Sequence, residues 1–213
     1  MDILFEEIKR KVVGGKHKEI EGLVQKAIAG GLDLDLLINQ SMIAAMDIVG
    51  QHFSESRIFV PEMLASAATM KKGLDLIKPL LKAQGGQSKG KILLCTVKGD
   101  MHDIGKNLVG MMLEGAGFEV LDLGVDATVE KVVATVQERQ PEIVGLSALL
   151  TTTMPEMVNV IQTLDAKGMR DNVKVLVGGA PVDAKFAHKI GADAHGQDAA
   201  EAVQIARSFV ERR

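Results

Sequence analysis

Apolar residues recur at helical spacing through the first part of the chain, up to about residue 83, and at strand spacing after it. Ile3, Leu4, Ile8 and Val12 share one helical face, and Gly14-Gly15 ends that run. Ile20, Leu23, Val24, Ala27 and Ile28 mark a second helix, stopped by Gly30-Gly31, after which Asp33 offers an N-cap oxygen. A third helix carries Leu37, Ile38, Met42, Ala45, Met46 and Val49. A fourth starts at Pro61 and runs through Met63, Leu64, Ala67, Ala68, Lys71, Leu74 and Ile77, with Pro79 placed to kink its end. Short connections between amphipathic helices of this kind predict a four-helix bundle. The connection from His52 to Pro61 holds Phe53, Ile58, Phe59 and Val60, more apolar surface than a solvated loop needs. Either it plugs the end of the bundle, as apolar residues commonly do, or it covers a neighbouring ligand.

Lys82 to Gly90 is rich in Gly, Ser and Gln without apolar periodicity, which is linker composition. It divides the chain into residues 1–88, a helical cap, and residues 89–213, with Gly85-Gly86 as the expected hinge. From Lys91 onward strand-like and helix-like runs alternate. The strands are Ile92–Val97, Phe118–Leu123, Ile143–Leu146, Val173–Val177 and a weak fifth near Ala192–His195. The helices are Ile104–Gly115, Val129–Arg139, Pro155–Lys167, Asp183–Ile190 and Ala199–Val210. Right-handed crossovers make this a five-stranded, parallel, doubly wound α/β domain of the flavodoxin-like or Rossmann-like kind.

Composition narrows the setting. The 213 residues are 46% hydrophobic and 25% charged, an ordinary globular balance. A net charge of −3 gives no broad electrostatic attraction to nucleic acid or to an anionic membrane. No apolar run approaches the ~20 residues of a membrane span, and the acidic, amphipathic start is unlike a signal peptide. The single Cys95 excludes an intramolecular disulfide and a cysteine-rich metal site within one chain. Together these features favour the cytoplasm. Eleven Met and no Trp or Tyr leave an aliphatic core with adaptable packing.

The chemistry gathers at the carboxyl ends of the strands, where open α/β sheets bind ligands. The first loop is Gly99-Asp100-Met101-His102-Asp103-Ile104-Gly105, with one imidazole between two carboxylates and glycines that let backbone come close to something bulky. The third strand ends in Ser147-Ala148-Leu149-Leu150-Thr151-Thr152-Thr153, the fourth in Gly178-Gly179, and the fifth leads into Ala199. The glycine pair predicts a slot with no Cβ in the way, and the hydroxyls suit an elongated polar ligand lying in it. One imidazole beside a long slot, with no other metal-binding side chain, points to a metal that brings its own equatorial ligands. Lys98 and Lys106 read as solvated, with either also placed to meet an amide or phosphate of a ligand, Cys95 as an inert buried thiol, and His17, His52, His188 and His195 as structural or solvated; His195 is also placed to touch a ligand's tail.

Three motifs in order, Asp100-x-His102-x-x-Gly105, Ser147-x-Leu149 and Gly178-Gly179, each close the expected strand. With them the chain resembles the cobalamin-binding module of methionine synthase. Over its whole length, helical part included, it resembles the small stand-alone corrinoid proteins of methyltransferase systems. The resemblance implies that a cobalamin or related cobamide is bound base-off, with His102 as the axial ligand to cobalt and a methylcobamide as the loaded state. It implies that Asp100 holds the other ring nitrogen and that Thr153 completes the relay, where methionine synthase has a Ser. The loop residues Gly99, Met101, Asp103, Ile104 and Gly105 would border the corrin. The nucleotide tail would pass Ser147, Leu149, Thr151, Gly178 and Gly179 toward Ala199. Phe53 and Val60 match positions that shield the cobalt-bound methyl, Val60 standing in place of a Leu. Since losing the methyl leaves a cobalt that sheds its axial ligands, His102 is expected to detach and take up a proton beside Asp100.

These implications make the chain a methyl carrier that does not turn over alone. Its expected partners are a substrate-specific methyltransferase, a second methyltransferase acting on tetrahydrofolate or coenzyme M, and a reductive activator. A substrate barrel would need ~250 residues of its own. Two other readings are the cobamide-binding subunit of a radical mutase and a cobalamin-sensing regulator. The helical cap argues against the first, and the lack of a basic DNA-reading segment ahead of the bundle against the second.

Overall fold

A computed structural model describes residues 2–84 and 88–211. The hinge expected at Gly85-Gly86 lies outside the described residues. The chain divides into two compact units, residues 1–88 with 114–117 and residues 89–113 with 118–213.

The first unit is helical: α1 (Asp2–Val13), α2 (Ile20–Ala29), α3 (Leu34–Leu37), α4 (Ala44–Ser54) and α5 (Val60–Gln84). Between α3 and α4 the helix widens into a π turn, Ile38–Ile43, so the expected third helix is one rod with a bulge inside it. That rod starts as Asp33 foretold, with Asp33 Oδ1 accepting the Leu36 N–H at 3.0 Å. It also runs further than expected, so His52 and Phe53 lie on its last turn rather than in the connecting loop. Pro79 does not stop α5, which continues through it to Gln84. Ile8, Val12, Ile20, Val24, Leu37, Met42, Val49, Met63, Met70 and Ile77 make the aliphatic and Met-rich core of this unit.

The second unit contains a five-stranded parallel sheet in the order β2-β1-β3-β4-β5. The strands are β1 (Lys91–Thr96), β2 (Glu119–Asp122), β3 (Ile143–Ser147), β4 (Lys174–Gly178) and β5 (Ala194–Gly196). The helices are α6 (Ile104–Gly115), α7 (Val129–Arg139), α8 (Met154–Ala166), α9 (Ala184–Ile190) and α10 (Ala199–Glu211). This is the expected α/β class and strand count. Central strands β1 and β3 are buried almost throughout, as helices on both faces require, while edge strands β2 and β5 are short and half-covered. Leu93, Cys95, Val144, Leu146, Val175 and Val177 face one layer with residues of α7, α8 and α9. Leu94 points the other way, against the Cα of Gly145 and toward Gly110 of α6.

The edges depart from the sequence pattern for local reasons. Phe118 is buried but lies just before β2, its N–H closing the turn after α6 onto Leu113 O at 3.1 Å. Val97 leaves β1 and forms an isolated bridge with Ala127. Asp193 precedes β5, where it accepts hydrogen bonds from the Val175 N–H at 2.8 Å, Lys174 at 3.0 Å and Arg170 at 2.7 Å. Burial works against its charge, but those donors outweigh burial and lower its pKa.

The order β2-β1-β3 reverses direction at β1, so the loops after β1 and β3 leave the same carboxyl edge at a topological switch point, where open α/β sheets bind ligands. Gly178 and Gly179 sit beside that edge. Gly179 has φ +126°, and a Cβ there would meet Ala148 O at 1.9 Å. A Cβ on Gly178 would meet Gly196 O at 3.1 Å. At both positions the direction a side chain would take is filled by the protein's own backbone, so glycine is what lets the neighbouring loops come this close.

Replacing Gly179 with Ala should therefore destabilise the protein by roughly 3 kcal/mol, read as a lower urea midpoint. Asp193 supplies stability above its unfolded pKa of about 3.9 that disappears as pH falls through its lower folded value. Urea titrations of D193N should show a weaker protein at pH 7, with the gap to wild type closing in strong acid.

Candidate functional site

The site is built on Asp100, which follows β1 and has no exposed surface. Its Oδ1 accepts the His102 N–H at 3.0 Å and lies 2.8 Å from His102 Nδ1. Its Oδ2 accepts the Leu149 N–H at 2.7 Å, the Leu150 N–H at 3.2 Å and the Thr153 hydroxyl at 2.9 Å. One oxygen thus serves the β1 loop and the other the β3 loop. Burial disfavours the charged carboxylate, but the bonds from the His102 backbone and ring, from Leu149 and from Thr153 outweigh it. They hold Asp100 well below the usual carboxylate range. It is ionised at neutral pH and acts only as an acceptor.

That fixes the imidazole. Nδ1 donates to Asp100, so the lone pair sits on Nε2, which has no hydrogen-bond partner among the described residues. The His102 side chain is 51% exposed, presented to solvent from a buried anchor. The Thr153 hydroxyl also lies 2.9 Å from Leu150 O. It has one proton for two acceptors, and the carboxylate is the stronger of them.

Of the two acids flanking His102, only Asp100 engages it. Asp103 turns to the start of α6, where Asn107 Nδ2 donates to its carboxylate at 3.0 Å and the Asn107 N–H to its carbonyl at 2.7 Å. Met101 on the β1 loop, Ile104 at the start of α6, and Leu149 and Leu150 on the β3 loop are exposed apolar side chains around this edge. Gly99, at φ +78°, turns the chain out of the strand, and a Cβ on Gly105 would meet nothing. Ser147 ends β3 in register with Gly178, which pairs in turn with Gly196. Thr151 is exposed, and Ala199 is buried at the start of α10. His195 sits mid-strand in β5, and Cys95 is buried with its thiol pushed up to about 12 by burial. In the first unit Phe53 is half-buried on α4, and Val60 and Phe59 are exposed at the start of α5.

Three residues that hold this edge together escaped the sequence reading. Thr96, wholly buried at the end of β1, donates its hydroxyl to His102 O at 2.9 Å. A polar residue closing an otherwise apolar strand was the available signal. Lys106, expected to be solvated, is buried. Its ammonium pairs with Asp122 at the end of β2 and donates to Asn107 Oδ1 at 2.7 Å, satisfying a charge that burial would otherwise penalise. Asp126, in the loop after β2, bonds Gly99 and Asp100 and had no signal in the sequence.

Comparison with known proteins fits this picture. A family model described as the B12 binding domain matches residues 90–204, and a second of the same description matches residues 4–78. A corrinoid protein of Desulfitobacterium hafniense is 41% identical over 97% of both chains. Trimethylamine corrinoid protein 2 of Methanosarcina mazei is 42% identical over 85% of this chain and 84% of its own. The structure of the methanol:cobalamin methyltransferase complex of Methanosarcina barkeri contains a chain 31% identical. It superposes with a TM-score of 0.89, over all of this chain and 81% of that one.

The residues present suit a corrinoid on chemical grounds. Among the described residues no cluster of three or more His, Cys, Asp or Glu side chains could hold a metal ion. A single imidazole with a free Nε2, rimmed by exposed Met101, Ile104, Leu149 and Leu150, matches a metal carried in an apolar macrocycle. On the two family models and on relatives that match along almost its full length, the chain belongs to the B12-binding corrinoid proteins of methyltransferase systems, whose cofactor is a cobalamin or a related cobamide.

Proposed function

We propose that this protein carries methyl groups on a cobamide held base-off, with His102 Nε2 as the axial ligand to cobalt. The observation that carries the reading is the half-exposed imidazole whose Nδ1 is tied to a buried, fully bonded carboxylate. The bound cobamide supplies a cobalt that accepts a methyl group and gives it up. The protein's own residues orient that metal. Asp100 selects the tautomer and direction of the ring, and the Leu149, Leu150 and Thr153 donors keep its carboxylate from rotating. Gly99, Met101, Asp103, Ile104 and Gly105 form the loop against the corrin. Ser147, Leu149, Thr151, Gly178, Gly179 and Ala199 border the path of the nucleotide tail. Phe53 and Val60 shield the methyl, a role supported by the family resemblance and by the exposed apolar surface of Phe59 and Val60.

The relatives include trimethylamine and dimethylamine corrinoid proteins and a chain of a methanol:cobalamin methyltransferase complex. They support methylamines or methanol as the source of the methyl group, through a substrate-specific methyltransferase. A second methyltransferase, acting on tetrahydrofolate or coenzyme M, would take the methyl, and a reductive activator would restore cobalt after oxidation. No described helix is long and apolar enough to cross a membrane, in keeping with a cytoplasmic carrier.

Reconstitution with methylcobalamin and transfer assays with methylamine and methanol methyltransferases test the reading. Wild type should accept methyl from one of them, and H102A should lose the axial histidine from its visible spectrum. Unchanged spectra and rates in H102A would rule out axial ligation. Asp100→Asn, which cannot accept the same set of donors with both oxygens, should lower methyl-transfer rates by about 10- to 100-fold. V60A should speed the photolysis of bound methylcobalamin; an unchanged rate would count against shielding by Val60.

A further inference from the structure

The loop that bears His102 is held from one side by a residue of a different loop. Asp126 lies between β2 and α7 and is exposed, so it adds little to the core. Its Oδ1 accepts the Gly99 N–H at 2.7 Å, and its own N–H donates to Asp100 O at 3.0 Å. The two bonds grip both ends of the Gly99-Asp100 segment, directly before the imidazole. To make them Asp126 adopts φ +51°, one of three non-glycine residues with positive φ among the described residues. Left-handed backbone is unfavourable for most side chains, and Asp and Asn tolerate it best. An exposed residue held in that conformation, with both its backbone and its side chain spent on the same two residues, is placed there by the loop it holds.

The adjoining bonds show why this segment matters. Val97 beside it bridges Ala127, the residue after Asp126. Asp100 N–H closes a turn onto Val97 O at 3.1 Å. Thr96 holds His102 O from below, and Asp100 Oδ1 holds His102 N–H. Remove the grip of Asp126 and the Gly99 end of the loop, itself at φ +78°, is left without its partner. The carboxylate of Asp100 would remain bonded to the β3 loop, so the loosened part is the segment that carries the ring.

We infer that Asp126 is a positioning residue for the axial imidazole, fixing the Gly99-Asp100 segment so that His102 is presented in one orientation. The inference rests on His102 being the ligand to cobalt. Asp126 does not touch the cofactor in this account; it acts through the β1 loop.

The test uses the full chain loaded with cob(II)alamin, with histidine either unlabelled or labelled with nitrogen-15. Electron paramagnetic resonance then separates protein-ligated cobalt from cobalt without the histidine. Thermal melting of each cofactor-free variant gives fold stability independently. D126N keeps an oxygen acceptor and tolerates the backbone, and should keep the wild-type ratio of histidine-on to histidine-off cobalt. D126A and D126G should shift that ratio about fivefold toward histidine-off, the worth of one ordinary hydrogen bond. D126G also removes the side chain that makes the backbone costly, so it should melt no lower than D126A while still losing ligation. A wild-type ratio in D126G, or a D126N ratio as low as that of D126A, would overturn the inference. If D126A does not fold, D126N and D126G decide alone. If wild type itself shows no histidine nitrogen, the assignment of His102 fails and takes this inference with it; a normal wild type with an unaffected D126G removes this inference only.

Discussion

Asp100 is buried without exposed surface and still carries its charge, because each of its oxygens is met by donors from a different loop. A buried carboxylate left short of partners would cost several kcal/mol and would take up a proton instead. The donors can reach it only because β1 and β3 are neighbours in the sheet and their loops leave the same edge. Topology, charge burial and ring orientation are therefore one constraint. The parallel order brings the β3 loop to the β1 loop, the carboxylate ties them, and the imidazole is the group left facing out.

The surrounding residues read as supports for that tie. Thr96 holds the backbone of His102 from the end of β1, and Asp126 holds the residues before it. Lys106 is buried at the start of α6 against Asp122, which anchors the helix that follows the loop. Gly179 lets the β4 loop press against Ala148, which precedes the two N–H groups bonded to Asp100. Apolar Met101, Ile104, Leu149 and Leu150 stay exposed at this edge, where apolar side chains facing water contribute nothing without a ligand.

Much of this was legible in the chain. Alternating apolar runs gave the parallel sheet, because strands buried on both faces must be apolar throughout, as β1 and β3 are. The Asp100–His102 pair was reached by resemblance, and the structure forms it because residues two apart can close through one side chain onto ring and backbone. Thr153 was reached by resemblance, and its hydroxyl does meet Asp100. Other features depend on distant partners that no local pattern encodes. Lys106 looks like a surface lysine until Asp122 comes to it from another strand. Asp126 is an ordinary loop acid until its backbone angle and its two bonds are known. The glycine pair was visible in the sequence, but not that Ala148 and Gly196 backbone oxygens would occupy the directions side chains would take there. The π turn at Ile38–Ile43 keeps the same apolar residues on one rod and so leaves helical periodicity almost intact.

The proposed function stands or falls with one histidine nitrogen of this chain binding cobalt. Electron paramagnetic resonance of the cob(II)alamin-loaded protein tests it most directly, with histidine alone labelled by nitrogen-15. If His102 is the axial ligand, each three-line splitting from the ordinary nitrogen becomes a two-line splitting on labelling, and the change is absent in H102A. Splittings that ignore the label, or a two-line pattern that survives in H102A, would contradict the account.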